Sequence, residues 1–238
     1  MNWIKNNIPN LLTCLNLSCG FWGICIFIIN EGSLQSQISN AAFLILLAGV
    51  FDFFDGFAAR LLKSASNIGK DLDSLADMVT FGVLPGVILF SAMNFEKESG
   101  LLPVWVMYSA LLVPVFSAIR LAIFNNDTRQ TDQFIGVPTP ANAFLISFLL
   151  SSLTFNNAVS NDPWILPGIS FSCSIMLVAP IPLIALKFKD FSFETNKARF
   201  ILIAISLGLF TWLRFEAIPL IIIVYIALSI LNNLISKK

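Results

Sequence analysis

Asp52, Asp55, Asp73 and Asp77 stand in apolar surroundings. They fall in the stretch Asp52-Phe-Phe-Asp55-Gly56-Phe-Ala-Ala59-Arg60 and, eight residues on, Gly69-Lys-Asp-Leu-Asp73-Ser-Leu-Ala-Asp77. Carboxylates within a bilayer cost at least ~2.5 kcal/mol each on insertion scales, so a group of them implies function. Asp52 and Asp55, three apart, share one helix face, and Gly69, Asp73 and Asp77 recur every four residues as one stripe. Asp52 lies eight residues before Arg60, and Asp77 eight after Gly69. At ~1.5 Å per residue, both are about 12 Å from the connecting turn. In an antiparallel hairpin the four carboxylates then meet at similar depth, and they repel one another unless a cation sits among them. The chain has no histidine, and hard oxygen ligands without His or Cys suit Mg²⁺, Mn²⁺ or Ca²⁺. Gly56 and Ala59 leave room for a bulky ligand beside the carboxylates, and Arg60 adds a planar cationic fork suited to phosphate. Metals, space and Arg together describe a diphosphate site. Taken singly these residues say less. Gly56 and Ala59 alone would read as helix packing, Arg60, Lys63 and Lys70 as topology markers, and Asp71, off the stripe, as a solvated turn residue.

The elements that must carry these residues are membrane helices. Of 238 residues 57% are hydrophobic and 12% charged, against about 25% charged in a soluble domain. The mean hydropathy is +0.83. Apolar runs predict about eight spans, near 11–30, 39–62, 71–93, 103–125, 140–156, 165–186, 199–213 and 217–235. Backbone in lipid must satisfy its own hydrogen bonds, so each is expected to be helical. The reading is an all-α polytopic bundle forming a single membrane-embedded domain over 1–238. With eight spans and a cytoplasmic N-terminus, the inner side holds Lys5, Arg60, Lys63, Lys70, Arg120, Arg129, Lys187, Lys189, Lys197, Arg199, Lys237 and Lys238. The outer side holds only Lys97 and Arg214. This bias places both termini and the 63–70, 126–138 and 187–198 loops in the cytoplasm. The first apolar run lacks an Ala-x-Ala cleavage pattern and reads as a retained helix. Cys14, Cys19, Cys25 and Cys173 lack zinc-like spacing and read as packing residues. Zero net charge and the lack of a basic cluster give no sign of a nucleic-acid partner.

The pattern Asp-x₂-Asp-Gly-x₂-Ala-Arg-x₈-Gly-x₃-Asp-x₃-Asp over residues 52–77 resembles the signature of the CDP-alcohol phosphotransferases, with every fixed position filled. The resemblance implies a CDP-linked substrate, two divalent metals, and displacement of CMP by an alcohol. It implies metal ligation by Asp52, Asp55 and Asp73, with Asp77 contributing to the metal site and acting as base. Asp55, Gly56, Ala59 and Arg60 would face the CDP group, with Gly69 close by. Pro9-Asn10-Leu-Leu-Thr13 is similar to the family's entry sequence, which adds Asn10 and Thr13 to the CDP side. A homodimer is expected on the same ground.

Softer similarities point to the membrane-type phosphatidylserine synthases of bacteria and archaea. They are Ala76-Asp77-Met-Val-Thr80-Phe81-Gly82-Val-Leu-Pro85, Arg120-Leu-Ala-Ile-Phe124-Asn125 and Gly136-Val-Pro138-Thr139-Pro140-Ala-Asn142. The second departs from the usual pattern, with Ile123 in place of an Arg. The expected substrates are CDP-diacylglycerol, drawn from membrane lipid, and L-serine from the cytoplasm, at a site facing the cytoplasm in the cell membrane of a prokaryote. Serine brings a carboxylate that needs compensation in a membrane site. Arg120 is the cation best placed for it, with Asn125, Thr139 and Asn142 as further polar candidates, although Arg120 could instead snorkel to the headgroups. The rival readings are a relative using glycerol phosphate or inositol phosphate, a membrane prenyltransferase, and a cation transporter.

Overall fold

Long apolar runs with few breakers fold as helices wherever the chain permits. The computed structural model describes residues 2–64, 66–98, 100–127, 134–156, 158–184 and 192–236. Helix α1 (Asn2–Ile29) and α2 (Leu34–Leu61) form a closely packed hairpin. Asn30 and Gly32 take positive φ in the turn, and the Ser33 hydroxyl caps α2 by accepting from Ser36 N at 3.2 Å. Ser66 caps α3 (Asn67–Asp77) in the same way through Gly69 N at 3.0 Å. A π-helical segment, Met78–Val83, then joins α3 to α4 (Leu84–Glu98). Helix α5 (Val104–Met107) continues through a 3₁₀ turn into α6 (Leu112–Asn126). Then follow β1 (Phe134–Ile135), α7 (Thr139–Phe155), α8 (Ala158–Asn161), α9 (Ile165–Val178), β2 (Pro182–Leu183), α10 (Phe193–Leu213) and α11 (Ala217–Ser236).

Among the described residues, five apolar helical stretches are long enough to cross a membrane, and α7 and α9 are shorter. One stretch, Asn196–Leu234, has 39 residues, about 59 Å if straight and roughly twice a bilayer core. It bends at Arg214, where φ is 52°, and α10 packs back on α11. It therefore counts as two, and with the two shorter helices this is roughly consistent with the eight spans that the hydropathy pattern implies. The central rod is α3–π–α4. Of its apolar window 61% is buried, against 28% for α1 and for α2. Phe81, Leu84, Ile88, Leu89 and Met93 from the rod meet Ile38 and Ile45 of α2 and Ile146 and Leu150 of α7 in the core. Helix α1 approaches the rod closely at Gly20, where a Cβ would lie 2.3 Å from Thr80 Oγ1, so only glycine fits.

Helix α1 starts at Asn2 rather than near residue 11, and a second boundary also differs from expectation. The sixth span ends at Val178 rather than 186, because Pro180 and Pro182 cannot continue a helix. The chain beyond it forms an unforeseen antiparallel pair, Phe134 opposite Leu183 and Ile135 opposite Pro182. Gly136 (φ 78°) donates to Ile181 O at 2.9 Å, and Val137 to Met176 O at 2.9 Å. This strap fixes the entry into α7 and thereby Thr139. The expected basic residues Arg129, Lys187, Lys189, Lys237 and Lys238 lie outside the described residues, as do parts of the 126–138 and 187–198 loops.

Candidate active site

The α2–α3 hairpin does what its spacing implies. Asp52, Asp55 and Asp73 each offer a carboxylate oxygen, and these oxygens all lie within 4.8 Å of one another. Asp55 is buried and is held from α1, where Thr13 Oγ1 lies 2.6 Å from Asp55 Oδ2 and 3.1 Å from Pro9 O. Asp73 Oδ1 is buried without a hydrogen-bond partner. An anionic oxygen in that state calls for a ligand. Three hard donors converging with one of them unsatisfied fit a divalent cation.

Asp77 stands apart from this trio. It is buried one turn beyond Asp73, and its Oδ1 accepts a hydrogen bond from Asn16 Nδ2 at 3.1 Å. Thr80 of the π segment in turn donates to Asn16 O at 3.1 Å. Helix α1 thus orients Asp77 from one side and Asp55 from the other. Asp71 is exposed, on α3 rather than in a turn.

A cavity of about 200 Å³ opens beside the trio, between α1, α2 and α3. Asn10, Thr13, Asp55, Gly56, Ala59 and Gly69, all expected on the CDP side, line it. Arg60 is exposed at its edge, with Nη1 3.8 Å from where a Gly56 Cβ would sit. Ser64, Ser66 and Lys70 also line the cavity and were not anticipated as site residues.

On α6, Arg120 is 6% exposed, so it does not extend toward the headgroups. Its Nη1 lies 3.4 Å from Thr139 Oγ1, and its guanidinium lies over the Phe124 ring at 4.8 Å. It lies within electrostatic reach of Asp77. Thr139 and Asn142 are fully buried. Asn125 is not brought to this group. Its side chain donates to Ser74 Oγ at 2.8 Å, and its carbonyl accepts from Lys70 Nζ at 3.0 Å, so it ties α6 to α3.

The links of Asn16 and Thr80 to Asp77, and the place of Ser117 against Gly82, were not anticipated from the sequence. The signal for Asn16 was present in the polar set Asn10, Thr13, Asn16 at three-residue spacing on an otherwise apolar helix. Ser117 lies one turn before Arg120 and carries no motif.

These features define a membrane protein with a carboxylate cluster beside a cavity, and a buried cation on α6. The sequence profile of the CDP-alcohol phosphatidyltransferases matches residues 6–230. The chain belongs to that family. It is 36% identical over 152 residues to the CDP-diacylglycerol–serine O-phosphatidyltransferase of Bacillus subtilis, covering 63% of this chain and 78% of the relative. The enzyme of the same name from Helicobacter pylori strain J99 is 30% identical over 228 residues, 94% and 90% of the two chains. That from Mycobacterium leprae is 34% identical over 184 residues, 74% of this chain, but the match spans only 57% of the relative's length. The family uses divalent metals, and the Asp cluster is suited to them.

Proposed function

We propose that the protein transfers the phosphatidyl group of CDP-diacylglycerol to the hydroxyl of L-serine, giving phosphatidylserine and CMP. The observation that carries this reading is the Asp52–Asp55–Asp73 cluster beside a cavity, together with the buried cation Arg120 held against Thr139. Relatives named for the same reaction support it.

Asp52, Asp55 and Asp73 would hold two divalent cations, Mg²⁺ or Mn²⁺ with Ca²⁺ also compatible, and Asp77 would contribute to the same site. When bound, the cations neutralise the diphosphate and favour in-line displacement. The cavity walls at Asn10, Thr13, Gly56, Ala59 and Gly69, with Arg60 at the edge, receive the CDP group. Arg120 and Thr139 hold the serine carboxylate, and Asn142 lies one turn deeper. Asp77, oriented by Asn16, accepts the hydroxyl proton. The serine oxygen then bonds to the phosphatidyl phosphorus, the phosphorus–oxygen bond to CMP breaks, and CMP leaves.

The reading extends to the setting of the enzyme. The whole of 1–238 acts as one domain, with both termini and the site on the cytoplasmic side of a prokaryotic cell membrane, and two copies associate. Cysteine labelling at Gln133 from outside sealed cells would contradict the orientation.

The acceptor is tested by CMP release from CDP-diacylglycerol with L-serine, glycerol phosphate and inositol phosphate in parallel. Serine is expected to support release, and a preference for either phosphate would replace it as the acceptor.

A further inference from the structure

Among the described residues, six buried polar side-chain atoms lack a hydrogen-bond partner. Asp73 Oδ1 and Ser64 Oγ belong to the surroundings of the donor cavity. The other four are Asn16 Oδ1, Ser117 Oγ, Asn142 Oδ1 and Asn142 Nδ2. All three residues are 0% exposed. Leaving such groups unpaired is costly, and in native proteins each needs a reason.

Their positions are related. Asn16 is on α1, Ser117 on α6 and Asn142 on α7, and each of these helices packs on the π segment Met78–Val83. π-Helical turns occur often at functional sites. Asn16 is tied to that region through Asp77 and Thr80. A Cβ on Gly82 would lie 3.0 Å from Ser117 Cβ, so Ser117 lies directly against the segment. Ser117 is one turn from Arg120, and Asn142 one turn from Thr139, each on the side away from the 127–138 loop. Ser117 and Asn142 thus stand one turn from the Arg120–Thr139 contact, and Asn16 stands beside Asp77.

Their chemistry is selective. Asn16 Oδ1, Ser117 Oγ and Asn142 Oδ1 can all accept, and an ammonium group offers three N–H donors. None of the three oxygens carries a charge. Asp77 lies beside them, its Oδ1 accepting from Asn16 Nδ2. With Asn16 Nδ2 already bonded to Asp77, these three residues offer a phosphate only two donors, Asn142 Nδ2 and the Ser117 hydroxyl.

We propose that Asn16, Ser117 and Asn142 read the ammonium group of the acceptor, and so select an amino alcohol over hydroxyl compounds that lack the amine. This inference rests on the serine reading given above. It adds Asn16 and Ser117 as specificity-determining residues and assigns Asn142 to the amine.

The test compares L-serine with 3-hydroxypropionate, which keeps the hydroxyl and carboxylate but lacks the ammonium. Detergent-solubilised protein is assayed with CDP-diacylglycerol and Mn²⁺ or Mg²⁺. The native protein is expected to favour serine by at least about a hundredfold in kcat/KM, since sites built around a polar group reject the analogue lacking it. Ser117→Ala and Asn142→Ala should each raise the serine KM about tenfold. They should leave the KM for CDP-diacylglycerol and the weak use of 3-hydroxypropionate unchanged, an outcome that loss of packing alone would not produce. Equal use of the two acceptors by the native protein would overturn the inference without recourse to any variant. So would variants that weaken both acceptors alike, which would assign the unpaired atoms to water. If serine is used but the ratio does not respond, this inference fails alone. If serine is not used while glycerol phosphate is, the acceptor reading fails and takes this one with it.

Discussion

The donor half and the acceptor half proposed for the site are built in different ways. The donor half is local. Asp52, Asp55 and Asp73 come from one hairpin, and the cavity beside them is walled by that hairpin and α1. The acceptor half is assembled at long range. Arg120 and Thr139 stand on separate helices, and Thr139 is set in place by the strap that binds residues 134–137 to the end of α9. The donor half therefore depends on helix periodicity, and the acceptor half on how α6 and α7 pack around the π segment. Changes on one side should leave the other side's substrate largely untouched.

The largest effect is expected from Asp73→Asn. It removes the carboxylate whose Oδ1 is buried and unpaired. Outer partners of metal sites alone are worth roughly 10–100-fold, so loss of a ligand should lower turnover by more than about 100-fold. Metal titration of turnover measures it, and near-native activity at ordinary metal concentration would separate Asp73 from the metal.

Arg120→Ala comes next and strikes only the acceptor half. Truncating one partner of a buried charge pair costs about 2–5 kcal/mol, so the serine KM should rise well over tenfold. Affinity for CDP-diacylglycerol should change little. An unchanged serine KM would leave the carboxylate without a partner and reduce Arg120 to a structural role.

Thr13→Val returns to the donor half. It removes the hydroxyl 2.6 Å from Asp55. A hydrogen bond to a charged group is worth about 1.5–3 kcal/mol, so the metal concentration for half-maximal activity should rise roughly tenfold while the serine KM holds. A shift in serine KM instead would mean that the halves are coupled through α1.

Asn125→Ala should have the smallest effect. Its side chain joins α6 to Ser74 of α3, at a net value of about 1 kcal/mol. Thermal unfolding should report a slight loss of stability, with both Michaelis constants nearly unchanged. A strong rise in serine KM would restore Asn125 to the acceptor pocket.

The contrast also explains what could be read in the chain beforehand. The eight helical spans were legible because apolar runs in lipid have one good solution, the helix. The carboxylate cluster was legible because a four-residue stripe and a three-residue pair settle their faces without knowledge of any other helix. Asn125 is close to Arg120 in sequence, yet five residues of helix turn its side chain to Ser74 of α3. Ser117 gave no sign, since a serine in an apolar helix usually bonds its own backbone, and only packing against Gly82 sets it beside the site. The strap of β1 and β2 was hidden for a similar reason. Its two-residue strands are too short to show alternation, although Pro180 and Pro182 did mark the end of α9.

The central claim is that one metal-dependent site joins the two halves in a single transfer. Its most direct measurement is the yield of CMP and phosphatidylserine from CDP-diacylglycerol and labelled L-serine, before and after exhaustive chelation. The account predicts equal amounts of the two products, formed only with both serine and a divalent cation present and restored when Mg²⁺ or Mn²⁺ is returned. CMP released at the full rate without serine, or undiminished transfer after chelation, would contradict it.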